Sequence, residues 1–273
     1  MPLINTESVS SFKPTVGSRS TRVDLRKGQS LLKISFNKYA YKSYKFYRST
    51  RSMEHYSDNF LLVVPGKIER ASKDTSNFYY VMFDNLPSWK GYPSRSKSII
   101  FTNKQSVASD YTGTLCQVYP INNAKIAFGV YGDGFLNLPY AFKRLDVVSI
   151  PDFMQQLNGF FKAVNSVSIR KGAKQDLPST VSLENSEYKS FLNSLDNLVT
   201  TEVIEDVGLN DYYSNFCKDI QTHKKGNWEG YFDDLFNPQK NGIHVLTEDN
   251  FNSSLVYEFW TDSPCLLKRV ITF

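Results

Sequence analysis

The 273-residue chain contains no GxSxG, P-loop, GxGxxG or HExxH motif, which excludes the usual nucleophile elbow, phosphate loop and zinc helix. Three histidines (His55, His223, His244) and three cysteines (Cys116, Cys217, Cys265) are widely spaced, with no CxxC pair. That spacing argues against a metal site and a disulfide framework, and for a reducing, cytoplasmic setting. Cys217 and His223 fall on one predicted helix, a spacing that does not align a thiol with its base. What is left is an ordered trio. Arg48 sits on an early strand, Tyr47-Arg48-Ser49-Thr50-Arg51. Ser98 and Thr102 sit on a strand leading into a helix, Ser96-Lys97-Ser98-Ile99-Ile100-Phe101-Thr102. Glu258 sits on a late strand, Val256-Tyr257-Glu258-Phe259-Trp260. Chemistry open to this set needs neither a metal nor a covalent nucleophile. Arg51 and Arg22 are alternatives to Arg48, and Glu229 in Asn227-Trp228-Glu229-Gly230 is an alternative to Glu258.

In this order the chain resembles the ADP-ribosyltransferase superfamily, in its Arg–Ser–Glu branch. The middle piece carries most of the likeness: Ser98-Ile99-Ile100-Phe101-Thr102, then Ala108-Ser109-Asp110-Tyr111 in place of the family's A-x-x-Y/F, then Val118-Tyr119-Pro120-Ile121. Pro93 to Ile100 and Trp260 to Leu267 are also similar to bacteriophage-encoded proteins. The resemblance implies an α+β fold, an ADP-ribosyltransferase-like split β-sheet core, and NAD as the ADP-ribose donor. It implies that Glu258 stabilises the positive charge developing on the ribose as nicotinamide leaves. It also implies that Ser98 orients that carboxylate and the ribose, and that Arg48 holds the pyrophosphate bidentately. Tyr47, Thr102 and Tyr111 complete the NAD contacts, Tyr111 by stacking on nicotinamide. The acceptor is a macromolecule, protein or nucleic acid, in the host cytoplasm if the chain is phage-encoded. Val256, two places before Glu258, does not support an arginine acceptor.

The elements that must position these residues follow from periodicity. Residues 1–24 read as a loose arm. A helix is predicted from Asn37, with Asn37 as its N-cap and Lys38, Lys42 and Lys45 at helical spacing. Strands are predicted at 46–49 and 60–64, and 78–83 reads as a third strand or a buried helix. Residues 94–130 form the clearest unit: a strand at 98–102, a helix capped by Asn103 with Val107, Ala108 and Tyr111 on its apolar face, a Gly113 stop, a strand at 115–119 and a hairpin partner at 124–130. Apolar residues at helical spacing, Phe153 to Val164, Tyr188 to Leu198 and Tyr212 to Ile220, predict an acidic helical insertion over 151–240, as the 160-residue gap between Ser98 and Glu258 requires. Residues 25–150 then hold the first part of the core. Strands at 243–246, 255–260 and 265–273 complete it within 241–273.

Charge is unevenly spread. Residues 1–60 carry 11 Lys/Arg against 4 Asp/Glu, 61–150 carry 10 against 6, and 151–273 carry 11 against 17. A basic front half attracts polyanions. Together with the interleaved run Lys38-Tyr39-Ala40-Tyr41-Lys42-Ser43-Tyr44-Lys45, it defines the competing reading: a non-enzymatic nucleic-acid-binding or virion-associated protein. No stretch approaches the ~20 apolar residues of a membrane span, and the N-terminus lacks the apolar core of a secretory signal.

Overall fold

The structure is a computed structural model that describes residues 20–38, 45–53, 60–65, 77–129, 138–173, 177, 180, 182–247, 250, 252, 254–255 and 257–270. The predicted arm up to residue 19, the Lys/Tyr run 39–44, Val130, Val256 and the end of the last predicted strand lie outside them. The strands are β1 (Ser20–Val23), β2 (Phe46–Thr50), β3 (Phe60–Val63), β4 (Ile99–Thr102), β5 (Thr114–Pro120), β6 (Ala127–Gly129), β7 (Ile243–Val245), β8 (Glu258–Thr261) and β9 (Cys265–Arg269). The helices are α1 (Leu25–Ile34), α2 (Phe78–Asn85), α3 (Gln105–Ser109), α4 (Pro139–Leu145), α5 (Ile150–Arg170), α6 (Tyr188–Leu198), α7 (Thr201–Gly208), α8 (Asp211–His223) and α9 (Trp228–Leu235). The class is α+β.

The chain divides into two compact units, one of residues 1–69, 97–128 and 245–273, the other of 70–96 and 129–244. The first is built on the strands that run in the order β1-β3-β9-β5-β2-β4-β8-β6 in the sheet. From β1 to β2 the ladders are regular and antiparallel, and β4 and β8 pair over four residues. Between β2 and β4 one registered pair is formed, Tyr47 with Thr102. The ladder is therefore short at that seam. Phe46, Phe101 and Phe259 close it on one face, with Phe46 4.9 Å from each of the other two ring centres.

Two local expectations change here. β6 is not the hairpin partner of β5, because β5 already has β2 and β9 on its two sides; β6 lies beside β8 instead. The Asn37 side chain donates to the Lys33 carbonyl at the end of α1, and the helix predicted after it falls on residues 39–44, outside the described residues. α1 itself, capped by Asp24 accepting from the Lys27 amide at 2.9 Å, falls where no helix was expected. Gly28 interrupts its apolar pattern for a steric reason, since a Cβ there would run into the Phe60 ring.

The second unit is helical, and takes in 70–96 and 129–150 as well as 151–240. The ambiguous segment at Phe78 is helix α2, buried from Phe78 through Phe83. It is apolar on every side because the Phe78 ring meets Phe161, Phe191, Phe232 and Phe236. α5 begins at a Ser149 cap, followed by Pro151 in its first turn, the pairing that satisfies and pre-orders a helix start.

Candidate functional site

The seam between β2 and β4 brings the trio's strands together, since β2, β4 and β8 are consecutive in the sheet. Directly opposed residues of antiparallel strands share a face. The registers give an unbroken row, Lys268–Gln117–Tyr47–Thr102–Glu258, across β9, β5, β2, β4 and β8. Lys268 is exposed, Gln117, Tyr47 and Glu258 are half-buried and Thr102 is buried. A polar row at the centre of a large sheet, partly open to solvent, departs from the apolar packing that covers the sheet elsewhere.

Thr102 stands directly opposite Glu258. Its hydroxyl oxygen accepts from the Lys104 amide at 3.3 Å. Tyr47 stands on its other side, and burial holds the Tyr47 phenol above its ordinary pKa, so it is a neutral donor at pH 7. Tyr119 is pushed up to about 12, by burial and then by the neighbouring Tyr47. Ser98 is buried but lies four residues from Thr102, about 13 Å along the strand at ~3.3 Å per residue. The hydroxyl that the sheet sets against the carboxylate is that of Thr102, not Ser98.

Arg48 follows Tyr47 on β2 and so leaves the strand on the alternate face. Its Nη1 donates to the Ile100 carbonyl at 3.2 Å, across the seam where the backbone ladder has stopped. Its charge also reaches two buried thiols. Burial pushes Cys116 up to about 11, against the opposing pull of Arg269 and Arg48, and raises Cys265 against the pull of Arg48. Arg48 therefore stands on the face of the sheet opposite to that of Glu258. The alternatives are placed elsewhere. Arg22 is on edge strand β1, the Arg51 guanidinium donates twice to the Thr112 hydroxyl at 3.2 and 3.0 Å, and Glu229 accepts from the Tyr188 phenol at 3.1 Å in the helical unit.

Asn103, read as a helix cap, does something else. The N-cap position is Lys104, without a side-chain cap bond. Asn103 donates to the Leu255 carbonyl at 2.7 Å and accepts from the Tyr257 amide at 2.9 Å. It thus clamps the residues that precede Glu258 to the end of β4 and sets Glu258 opposite Thr102. An Asn between strand and helix looks like a local cap, and no local signal reveals a partner 154 residues away. α3 is held against β2 by the Ser49 hydroxyl, which donates to the Ala108 carbonyl at 2.6 Å. Tyr111 lies past the end of α3 and is 65% exposed. Gly113 is required at its turn: φ is +120°, and a Cβ would sit 2.5 Å from the Thr50 carbonyl carbon.

Among the described residues no cluster of His, Cys, Asp and Glu is arranged to hold a metal ion, and no helix is long and apolar enough to cross a membrane. No protein-family model, curated protein or solved structure matches the chain.

Proposed function

We propose that the chain is an NAD-dependent ADP-ribosyltransferase acting on a macromolecular acceptor, with Glu258 as its charge-stabilising carboxylate and Thr102 as the hydroxyl beside it. The observation that carries this reading is the row Tyr47–Thr102–Glu258 on three adjacent strands of the sheet. One acceptor-only carboxylate next to two hydroxyls is a donor and acceptor set that suits a ribose, whose own hydroxyls both give and take hydrogen bonds. NAD bound there supplies nicotinamide as the leaving group of its ribose. The Glu258 carboxylate then answers the positive charge that builds on that sugar, a charge greater in the transition state than in the ground state. The Thr102 oxygen already accepts from Lys104, which leaves its proton to be directed at the carboxylate or the sugar. Arg48 serves this site by holding β4 to β2 across the seam.

The test is label transfer from NAD to a cell lysate, with nicotinamide release read in parallel, for wild type and Glu258→Gln. Wild type is expected to do both, and the variant to lose about 10²–10³-fold, the scale of removing one preorganised electrostatic stabiliser. Inactivity of the wild type, or a Glu258→Gln variant as active as wild type, overturns the reading.

A further inference from the structure

The polar row does not end at Tyr47. It continues through Gln117 to Lys268, and the next residue in register is Phe60 on β3. Phe60 is buried against Gly28 of α1. α1 therefore borders the row on the same face of the sheet, immediately beyond Lys268. Its outer side carries Arg26, Lys27 and Lys33, all exposed, and the acidic residue at this helix is the N-cap Asp24. The charge of the whole chain follows the same division. The sheet unit has 17 Lys/Arg against 10 Asp/Glu, and the helical unit 15 against 17.

We propose that this face binds a nucleic acid strand, with its phosphates on α1 and Lys268 and its sugars and bases along the row toward Glu258. Three arguments select that partner. The row is made of Lys, Gln, Tyr and Thr, which are among the side chains that contact sugar and phosphate. Protein interfaces, by contrast, are depleted in Lys around an apolar centre. From Lys268 to Tyr47 there are two strand spacings, about 10 Å at ~4.8 Å each, a run that accommodates about three stacked nucleotides at ~3.4 Å per nucleotide and leaves Thr102 and Glu258 to the ribose of NAD. The charge is graded along the row, with cations at the α1 end, neutral donors in the middle and a carboxylate at the far end. Phosphates are drawn to the α1 end, so the strand is anchored there. Taken with the transferase reading, on which this last step rests, the acceptor is a nucleic acid; the binding itself does not depend on that reading.

The test uses the full chain and a fluorescent single-stranded oligonucleotide of about 16 nucleotides, as DNA and as RNA, with a duplex and poly-glutamate as competitors. Binding to wild type is expected to weaken with salt. The variant Arg26→Gln/Lys33→Gln/Lys268→Gln is expected to bind at least tenfold more weakly at about 50 mM salt, with the slope of log K against log salt reduced by about 2 (~0.7 per phosphate contact for single strands). A control with equal loss of charge in the helical unit, Lys162→Gln/Lys189→Gln/Lys218→Gln, all exposed, is expected to stay within twofold of wild type. The inference is overturned if the oligonucleotide does not bind, if the two triple variants behave alike, or if poly-glutamate competes as well as the nucleic acid, which would mark an acidic protein as the partner. Adding labelled NAD separates the two proposals. Binding without any NAD turnover leaves this inference standing and sinks the transferase reading. Turnover and protein labelling without oligonucleotide binding does the reverse.

Discussion

At the scale of single residues, the choice between two hydroxyls can be tested directly. Ser98 immediately precedes β4 and Thr102 ends it, and only Thr102 is in register with Glu258. Thr102→Val keeps the side chain's shape and removes the hydroxyl. NAD turnover is expected to fall about tenfold or more, while Thr102→Ser retains most of it. Ser98→Ala is expected to change turnover less than twofold, because it lies about 13 Å along the chain from Thr102, the residue opposite Glu258. Steady-state kinetics on the four proteins decides, and a greater loss from Ser98→Ala than from Thr102→Val would return the role to Ser98. The buried thiols give a second expectation at this scale. Cys116 and Cys217 are pushed from 9.0 to about 11 by burial, so folding favours the neutral thiol. Their contribution to stability is complete below about pH 9, the unfolded value, and is lost as pH rises to about 11. Urea midpoints measured at pH 7, 9 and 11 should fall over the upper interval. Cys116→Ala/Cys217→Ala should fall less steeply there, whatever its absolute stability.

At the scale of elements, Asn103 links two pieces of chain that meet at the carboxylate. Its side chain satisfies the Tyr257 amide and the Leu255 carbonyl, so Asn103→Ala removes two hydrogen bonds at about 1 kcal/mol each. A loss of about 1–3 kcal/mol in urea denaturation is expected, together with a fall in NAD turnover at temperatures where the variant stays folded. Unchanged turnover in the folded variant would show that this clamp does not position Glu258. The same residue shows what is legible in a linear sequence. Strands such as β2, β3, β4 and β5 follow from β-branched and aromatic runs bounded by turn residues, because those signals act over a few positions. Register is different. The pairing of Tyr47 with Thr102 and of Thr102 with Glu258 depends on which strands become neighbours, and a strand's own residues do not encode that. Hence the strands and the residue types on them could be read, while the hydroxyl set opposite Glu258 and the side of the sheet taken by Arg48 could not. α1 was hidden for a related reason: Gly28 reads as a helix breaker until the Phe60 ring beneath it is known.

At the scale of the whole molecule, the chain passes between the two units four times, at 69–70, 96–97, 128–129 and 244–245. Neither unit is a continuous piece, so each must hold its own segments together from within. In the helical unit a buried polar network does part of this. Arg144 of α4 pairs with Asp219 of α8 at 2.7 Å and with Asp234 of α9 at 2.6 Å, and the Tyr231 phenol donates to Asp219 at 2.8 Å. The Arg144 and Asp219 side chains are 8% and 3% exposed. A buried ion pair adds little net stability over a well-packed apolar replacement, but removing one partner strands the other charge in a poor solvent. Asp219→Ala should therefore cost about 3–5 kcal/mol, whereas Arg144→Met/Asp219→Leu should recover most of that loss. The two-unit division allows the damage to be located with tryptophan as the reporter. Trp89 and Trp228 lie in the helical unit and Trp260 in the sheet unit. In a Trp89→Phe/Trp228→Phe background, Trp260 reports on the sheet alone. Asp219→Ala should shift the urea midpoint seen by Trp228 in a Trp89→Phe/Trp260→Phe background. If Trp260 in the substituted background shifts by the same amount, the four crossings make the two units one cooperative folding unit. If it does not, the sheet that carries Glu258 is stable on its own terms. A Trp228 midpoint unmoved by Asp219→Ala would show that the network does not bear on the stability of the helical unit at all.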